Sequence, residues 1–150
     1  MPLGGNSGIA IRYPFPVTFK ESLRNPAYAG FEIQAISQNP EMSKEEFLES
    51  KRKNSYYMEY GMNHNLCGSI YDVASAWPYL EKPGEWNEYV IYAYEDYIIT
   101  YVNGIKSAET FIPSGRSLKG SIGMQIHGGG DSAEYFEYKD IFIKEIFKLE

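Results

Sequence analysis

The 150-residue chain has one cysteine, two histidines and no excess of basic charge. Each scarcity excludes something. The lone Cys67 rules out an intrachain disulfide and any multi-cysteine metal site. No nucleophile signature surrounds it, so it reads as an ordinary small core or rim residue. His64 and His127 form no H-x-x-x-H pattern and no EF-hand loop is present, so no metal or other cofactor is expected. Lys and Arg number 14 against 20 Asp and Glu, a net charge of −6. No basic run is interleaved with aromatics, which argues against nucleic acid as a partner. No apolar run reaches membrane-spanning length, so no membrane partner is expected. The opening "MPLGGNSG" has neither a charged n-region nor an apolar h-region, and no signal peptide is read in it.

What is present fits one domain over 1–150, long enough to bury a sizeable core. Apolar residues make up 43% of the chain and aromatics 16%, with 14 tyrosines. Tyr and Phe favour pleated surfaces, so many strands explain the aromatic excess. A wet surface that packs rings against a ligand would use the same residues, because Tyr joins an apolar body to a polar tip.

Alternation predicts the strands. In Gly8 to Arg12, Ile9 and Ile11 point one way, Ala10 and Arg12 the other. Pro14 and Pro16 then break the ladder. In Tyr28 to Ser37, Phe31, Ile33 and Ala35 share one face, and Glu32, Gln34 and Ile36 the opposite one. Tyr56 to Tyr60 and Cys67 to Val73 read as strands around a turn that holds His64. Trp86, Glu88, Val90, Tyr92 and Tyr94 are in phase and lead through Glu95-Asp96 to Ile98, Thr100 and Val102. Asn103-Gly104 follows, and Asn-Gly between alternating runs is the strongest short hairpin signal. The runs "SIGMQIHG" and "FEYKDIFIKEIFKL" supply the last two strands.

One helix is expected near 43–53. Ser43 and Glu46 make a capping box, with Met42 and Phe47 as a hydrophobic staple. Lys51, Arg52 and Lys53 suit its C-terminal dipole end. Its thin apolar stripe predicts a short surface helix. Seven to nine short strands and a single helix predict an all-β fold, an antiparallel sandwich or jelly roll.

If Ile9/Ile11, Phe31/Ile33/Ala35 and Ile122/Met124/Ile126 point inward, then Arg12, Glu32, Gln34, Gln125 and His127 point outward. Neighbouring strands would then line a polar surface suited to sugar hydroxyls, which need donors and acceptors side by side. Plain solvation of outer positions would give the same pattern, and Arg12 could merely pair with Glu32. His127 titrates near neutrality, and Gly128 to Gly130 would let a backbone approach a ligand or form a flexible loop.

The pieces "GGNSGIAIR", "GFEIQAI", "GSIYDV", "KPGEWNEYVIYAYEDYIITYVNGIK" and "GSIGMQIHGGG…FEYKDIFIKEI" resemble, in that order, the 3-keto-disaccharide hydrolase domain family of the concanavalin A-like lectin/glucanase superfamily. They cover nearly the whole chain. The resemblance implies a concanavalin A-like jelly-roll β-sandwich, and action on glycosides whose sugar carries a ketone at C3. It implies that Arg12, Glu32, Gln34, Tyr71, Gln125 and His127 belong to the binding face. Trp86, Asn87 and Asn103-Gly104 would be fold markers, a packed ring and a hairpin turn. It suggests an exported or periplasmic parent protein. Family domains begin with further strands before "NSGI". The expectation here is an N-terminally incomplete domain whose uncovered sheet edge another copy or a partner completes. Family members often carry an Asp after the "EIQ" strand; here Ser37 stands near that place, ahead of a helix-bearing insertion.

A C3 ketone acidifies the proton at C2. Its removal lets the C1 oxygen leave, and water adds back later. The site needs a base, a donor to the enolate oxygen and an acid for the leaving oxygen. His127 is expected as the base, Arg12 as the enolate stabiliser and Glu32 as the group that orients or tunes the histidine. Tyr71 could supply a proton; Gln34, Gln125 and His64 would bind substrate. The rival mechanism, direct hydrolysis by two carboxylates, would pair Glu32 with Asp72 or Glu134. The competing class is a non-catalytic carbohydrate-binding module on the same polar face.

Overall fold

The computed structural model of the protein describes residues 6–14, 30–36, 66–76, 80–126 and 135–146. The hairpin signals fix its second half. Tyr89–Tyr94 (β3) and Tyr97–Val102 (β4) pair antiparallel with Tyr94 opposite Tyr97, so Glu95 and Asp96 alone make the turn. Ile105–Phe111 (β5) follows across Asn103-Gly104, whose φ angles of 51° and 78° are those a two-residue hairpin needs. The Asn103 side chain also donates to the Leu80 carbonyl at 2.8 Å and accepts from the Glu88 amide at 3.1 Å. This hairpin turn therefore also anchors the approach to β3.

The first half contributes Asn6–Tyr13 (β1) and Phe31–Ile36 (β2), and the chain returns to them with Ser121–Met124 (β6). Among the described residues the strands form two antiparallel three-stranded sheets, in the orders β2-β1-β6 and β3-β4-β5. Ile11, Phe31 and Ile33 from the first sheet meet Ile98 and Ala108 from the second, with Ile70 among them. Burying a side chain as large as Phe31, Ile33, Ile70 or Ile98 contributes about 1.5–3 kcal/mol relative to exposure. This is an all-β, two-sheet antiparallel fold consistent with a jelly-roll β-sandwich.

A short turn locks the sheets together. Gly68 adopts φ +78°, and a side chain there would run into Ser107 and Val102, each 2.6 Å from the position of its first atom. Its carbonyl accepts hydrogen bonds from Thr100 Oγ1 at 2.9 Å and Ser107 Oγ at 3.0 Å. The turn thus pins β4 and β5 of one sheet beside β2 of the other.

Several expectations need correction. Among the described residues every element is a strand and no helix occurs. The helix expected near 43–53 and the strand expected at 56–60 lie outside the described residues. Cys67 to Val73 is a series of turns that touches β2 through an isolated Ile33–Ile70 bridge, not a continuous strand. Residues 135–146 form no strand, and Ile141, Phe142 and Ile143 are exposed. Register turns Ile122 and Met124 to the same side as Ile9, as alternation predicts. Both are nevertheless exposed, as is Ile126, at 94%. Trp86 is not a packed ring: it is 53% exposed, with Lys139 Nζ 4.2 Å from its centroid. Asn87 does hold a turn, accepting from the Lys82 amide at 2.7 Å and donating to the Lys82 carbonyl at 2.9 Å.

Candidate functional site

The outer face of the β2-β1-β6 sheet is assembled by register. Directly opposed residues of antiparallel strands share a face. Gly8 lies opposite Gln34 of β2. On its other side the Gln125 amide donates to the Gly8 carbonyl at 2.8 Å, continuing the β6 pairing by one residue. Gln34, Gly8 and Gln125 therefore make one transverse row. Glu32, Ala10 and Gly123 make the next. Asn6, two residues before Gly8, lies on the same face. The centre of the surface is built from small residues and its flanks from amides and a carboxylate.

Gly8 has a specific reason to be glycine. A Cβ there would stand 2.8 Å from Glu32 Cγ and 2.9 Å from Glu32 Oε1. The Glu32 side chain folds across β1 into the space a larger residue would fill. Gln34 Nε2 donates to Glu32 Oε1 at 3.1 Å. Glu32 is 5% exposed and Gln34 3%, far drier than outer sheet positions in general. With its nitrogen committed to a carboxylate, the Gln34 amide cannot flip, because flipping would set two oxygens against each other. Its Oε1 is buried without a hydrogen-bond partner, as are Gln125 Oε1 and Asn6 Oδ1. Each such unmade bond costs about 1–3 kcal/mol. All three lie on this one face.

The segment after Gly68 extends this face past β2. The Gln34 amide donates to the Ser69 carbonyl at 2.9 Å, and the Tyr71 amide to the Glu32 carbonyl at 2.8 Å. Tyr71 thus stands beside Glu32 in register, half-buried. Asp72 follows in the turn at φ 58°.

Arg12 is placed differently. The register between β1 and β6 shifts between Ala10 and Tyr13, and Arg12 sits in that irregularity at φ 54°. Its guanidinium donates to the Glu95 carbonyl at 2.7 Å, in the β3–β4 turn of the other sheet. Partial burial lowers its pKa. A bulge redirects the side chain that it carries, so simple alternation does not carry Arg12 onto the face of Glu32 and Gln34.

The structure thus brings Glu32, Gln34, Gln125 and Tyr71 together and ties Arg12 to the second sheet. His127, His64 and Glu134 lie outside the described residues. Asn6 and Gly8 were missed by the sequence reading. The Tyr138 hydroxyl lies 2.7 Å from Ser7 Oγ, which in turn donates to the Gln125 carbonyl. Burial raises the Tyr138 pKa; the Ser7 bond lowers it, and the nearby Glu32 charge raises it. The signal for Asn6 and Gly8 was available: both share parity with Ala10, opposite to Ile9 and Ile11.

Cys67 takes no part in this face. It is fully buried, with Sγ 2.8 Å from the Tyr89 hydroxyl. Burial pushes its pKa to about 12, leaving no reactive thiolate near neutral pH. Among the described residues no cluster of His, Cys, Asp and Glu could hold a metal ion.

Over residues 1–144 the chain matches the family described as the 3-keto-alpha-glucoside-1,2-lyase-like domain. The chain belongs to this family. No curated protein matches it. Among solved structures, it is similar to a protein from Parabacteroides distasonis described as a "Putative glycosyl hydrolase". The TM-score is 0.53 at 23% identity, over 85% of this chain and 66% of the other. The chain therefore spans just under two thirds of that protein's length. At this identity the likeness speaks for the fold, and membership of the 3-keto-glucoside lyase-like family rests on the match along the sequence.

Proposed function

We propose that this domain cleaves 3-keto-disaccharides or related 3-keto-glycosides by elimination, with the sugar on the outer face of the β2-β1-β6 sheet. The observation that carries the reading is the Glu32 carboxylate, buried across Gly8 and held by Gln34. The lyase-like description of the family agrees with an elimination. A base takes the C2 proton, made acidic by the C3 ketone, and the electron pair moves into the enolate. The enolate collapses with loss of the C1 oxygen, which takes up a proton as it leaves. Water then adds at C1 of the resulting enone and releases a free 3-keto-sugar, so the net reaction consumes one water.

In this proposal His127 is the base, an assignment that rests on the sequence alone. Glu32 orients and tunes it, and Tyr71, next to Glu32 in register, supplies the proton to the leaving oxygen. Gln34 and Gln125 bind the sugar. Arg12, bonded to the Glu95 carbonyl, is given a positioning role for β1 in place of enolate contact.

The test is incubation with a 3-keto-disaccharide while free 3-keto-sugar is followed. Turnover that disappears in Glu32→Gln and in His127→Ala, both still folded, supports the reading. Sugar binding without any turnover would replace it with a non-catalytic carbohydrate-binding module.

We also propose that a second copy of the chain covers the edge of β6. Ile122, Met124 and Ile126, exposed on the side that register turns inward, support this. Light scattering on the purified chain tests it: a dimer is expected, and a monomer at micromolar concentration overturns it.

A further inference from the structure

We propose that Ser7 is a positioning residue. From the inner side of β1 its hydroxyl holds Gln125 and Tyr138 together, and so anchors the chain on both sides of the stretch that carries His127. The inference rests on the elimination reading for its effect on turnover, and on the hydrogen bonds alone for its effect on the fold.

Ser7 shares parity with Ile9 and Ile11, so it faces the core rather than the Glu32 side of the sheet. It is 1% exposed. A serine hydroxyl has one proton and two lone pairs. The proton goes to the Gln125 carbonyl at 2.7 Å. The Tyr138 hydroxyl, also at 2.7 Å, is therefore the donor to Ser7 Oγ. The bonds run one way, from Tyr138 to Ser7 to the Gln125 carbonyl. The Gly8 carbonyl, 3.4 Å from the Tyr138 hydroxyl, is a longer second acceptor. That same carbonyl takes the Gln125 backbone amide at 2.8 Å.

Both partners of Ser7 lie where regular pairing gives out. β6 ends at Met124, and Gln125 continues its pairing by a single residue. Among the described residues 135–146 pairs with no strand, so side chains attach it: Tyr138 on Ser7, and Lys139 over the Trp86 ring at 4.2 Å. The chain leaves the sheet at one partner of Ser7 and is held again at the other. His127 follows Gln125 by two residues. On the opposite side of β1, Glu32 lies across Gly8, the neighbour of Ser7. A misplacement of about 1 Å at a reacting group can cost roughly a hundredfold in rate. Ser7 touches no substrate in this reading, so its loss falls on kcat rather than on KM.

The experiment compares Ser7→Thr with Ser7→Val, which share a shape and differ by the hydroxyl. Turnover of a 3-keto-disaccharide, corrected for the folded fraction, is measured beside amide hydrogen exchange by NMR. In Ser7→Val, kcat should stand at least about tenfold below Ser7→Thr, with KM within about twofold. Its Gln125 backbone amide should exchange at least about tenfold faster than in Ser7→Thr, while the amides of β4 keep their rates. Tyr138→Phe removes one of the two links and keeps the ring. It should lower kcat by about tenfold from the wild type and leave Gln125 exchange unchanged, because Ser7 still donates to that carbonyl. It also covers the case in which Ser7→Val fails to fold. Adding Tyr138→Phe to Ser7→Val should cost nothing further, since the shared bond is already gone. Equal kcat in the Thr and Val variants overturns the proposal. So does a loss confined to KM, or faster exchange spread evenly over both sheets, which is plain destabilisation. A wild type that turns over no 3-keto-sugar sinks the elimination, and the exchange comparison then decides the anchor by itself.

Discussion

Glu32 occupies the space that a side chain at residue 8 would need. A Cβ at Gly8 would lie 2.8 Å from Glu32 Cγ. This close approach requires glycine at 8 and, in return, sets the carboxylate over the middle of β1 beside Gln34 and Gln125.

Gly8→Ala should therefore displace Glu32. Overpacking of this kind costs about 1–3 kcal/mol, and the loss of turnover should exceed what unfolding explains, since the carboxylate itself moves. Gly123→Ala is the stability control. Its Cβ would meet only Ala10 Cβ, at 3.9 Å, an ordinary contact. Thermal denaturation should show a clear loss for the first variant and a shift within about 1 kcal/mol for the second. Equal shifts would contradict the packing account.

The turn at Gly68 gives a second, purely structural prediction. Gly68→Ala combines a positive φ with contacts of 2.6 Å to Ser107 and Val102. The strain and the clash add, so the loss should exceed about 3 kcal/mol in urea titration. Ser107→Ala removes one hydroxyl bond to the Gly68 carbonyl and one partner of Thr100. About 1–2 kcal/mol is expected. If Gly68→Ala unfolds at the wild-type midpoint, the turn is not the link between the sheets.

The sequence made some of this legible and hid the rest for physical reasons. Asn103-Gly104 announced its hairpin because only residues tolerant of positive φ fit that turn. The common face of Glu32, Gln34 and Gln125 followed from parity, because register and pleat leave no other choice. Arg12 escaped the same logic. One residue at positive φ breaks alternation, and arginine carries no mark of that conformation. The alternating run after Tyr135 looked like a strand, but a strand is defined by its pairing partner, and among the described residues it has none. The role of Gly8 was hidden too: "NSGI" shows a glycine, while the reason for it sits on β2.

Arg12→Ala separates a structural role from a catalytic one. The guanidinium bonds the Glu95 carbonyl at 2.7 Å, partly exposed, so its removal should cost about 1–2 kcal/mol. Turnover per folded molecule should fall less than tenfold. Arg12→Lys should recover part of the stability, because an ammonium can also donate to that carbonyl. A fall of a thousandfold or more, with melting temperature unchanged, would return Arg12 to the enolate.

Cys67 and Tyr89 predict an alkaline limb of instability. Burial, the largest cause for both, pushes the Cys67 pKa to about 12 against an ordinary 9.0, and holds Tyr89 well above 10.0. Between those values the unfolded chain releases protons that the folded chain keeps, so the unfolded state binds fewer. Stability therefore falls as pH rises. The contribution is fully present below about pH 9 and is lost as pH climbs toward about 12. Denaturant midpoints taken from pH 8 to pH 11 should decline in the wild type. Cys67→Ala should flatten that slope while lowering stability at pH 8, because it leaves the Tyr89 hydroxyl without its sulfur partner. A thiol reagent at pH 8 should modify the native protein only at the rate of unfolding. Rapid labelling of the folded chain, or an unchanged slope in Cys67→Ala, would show that the thiol is neither buried nor neutral.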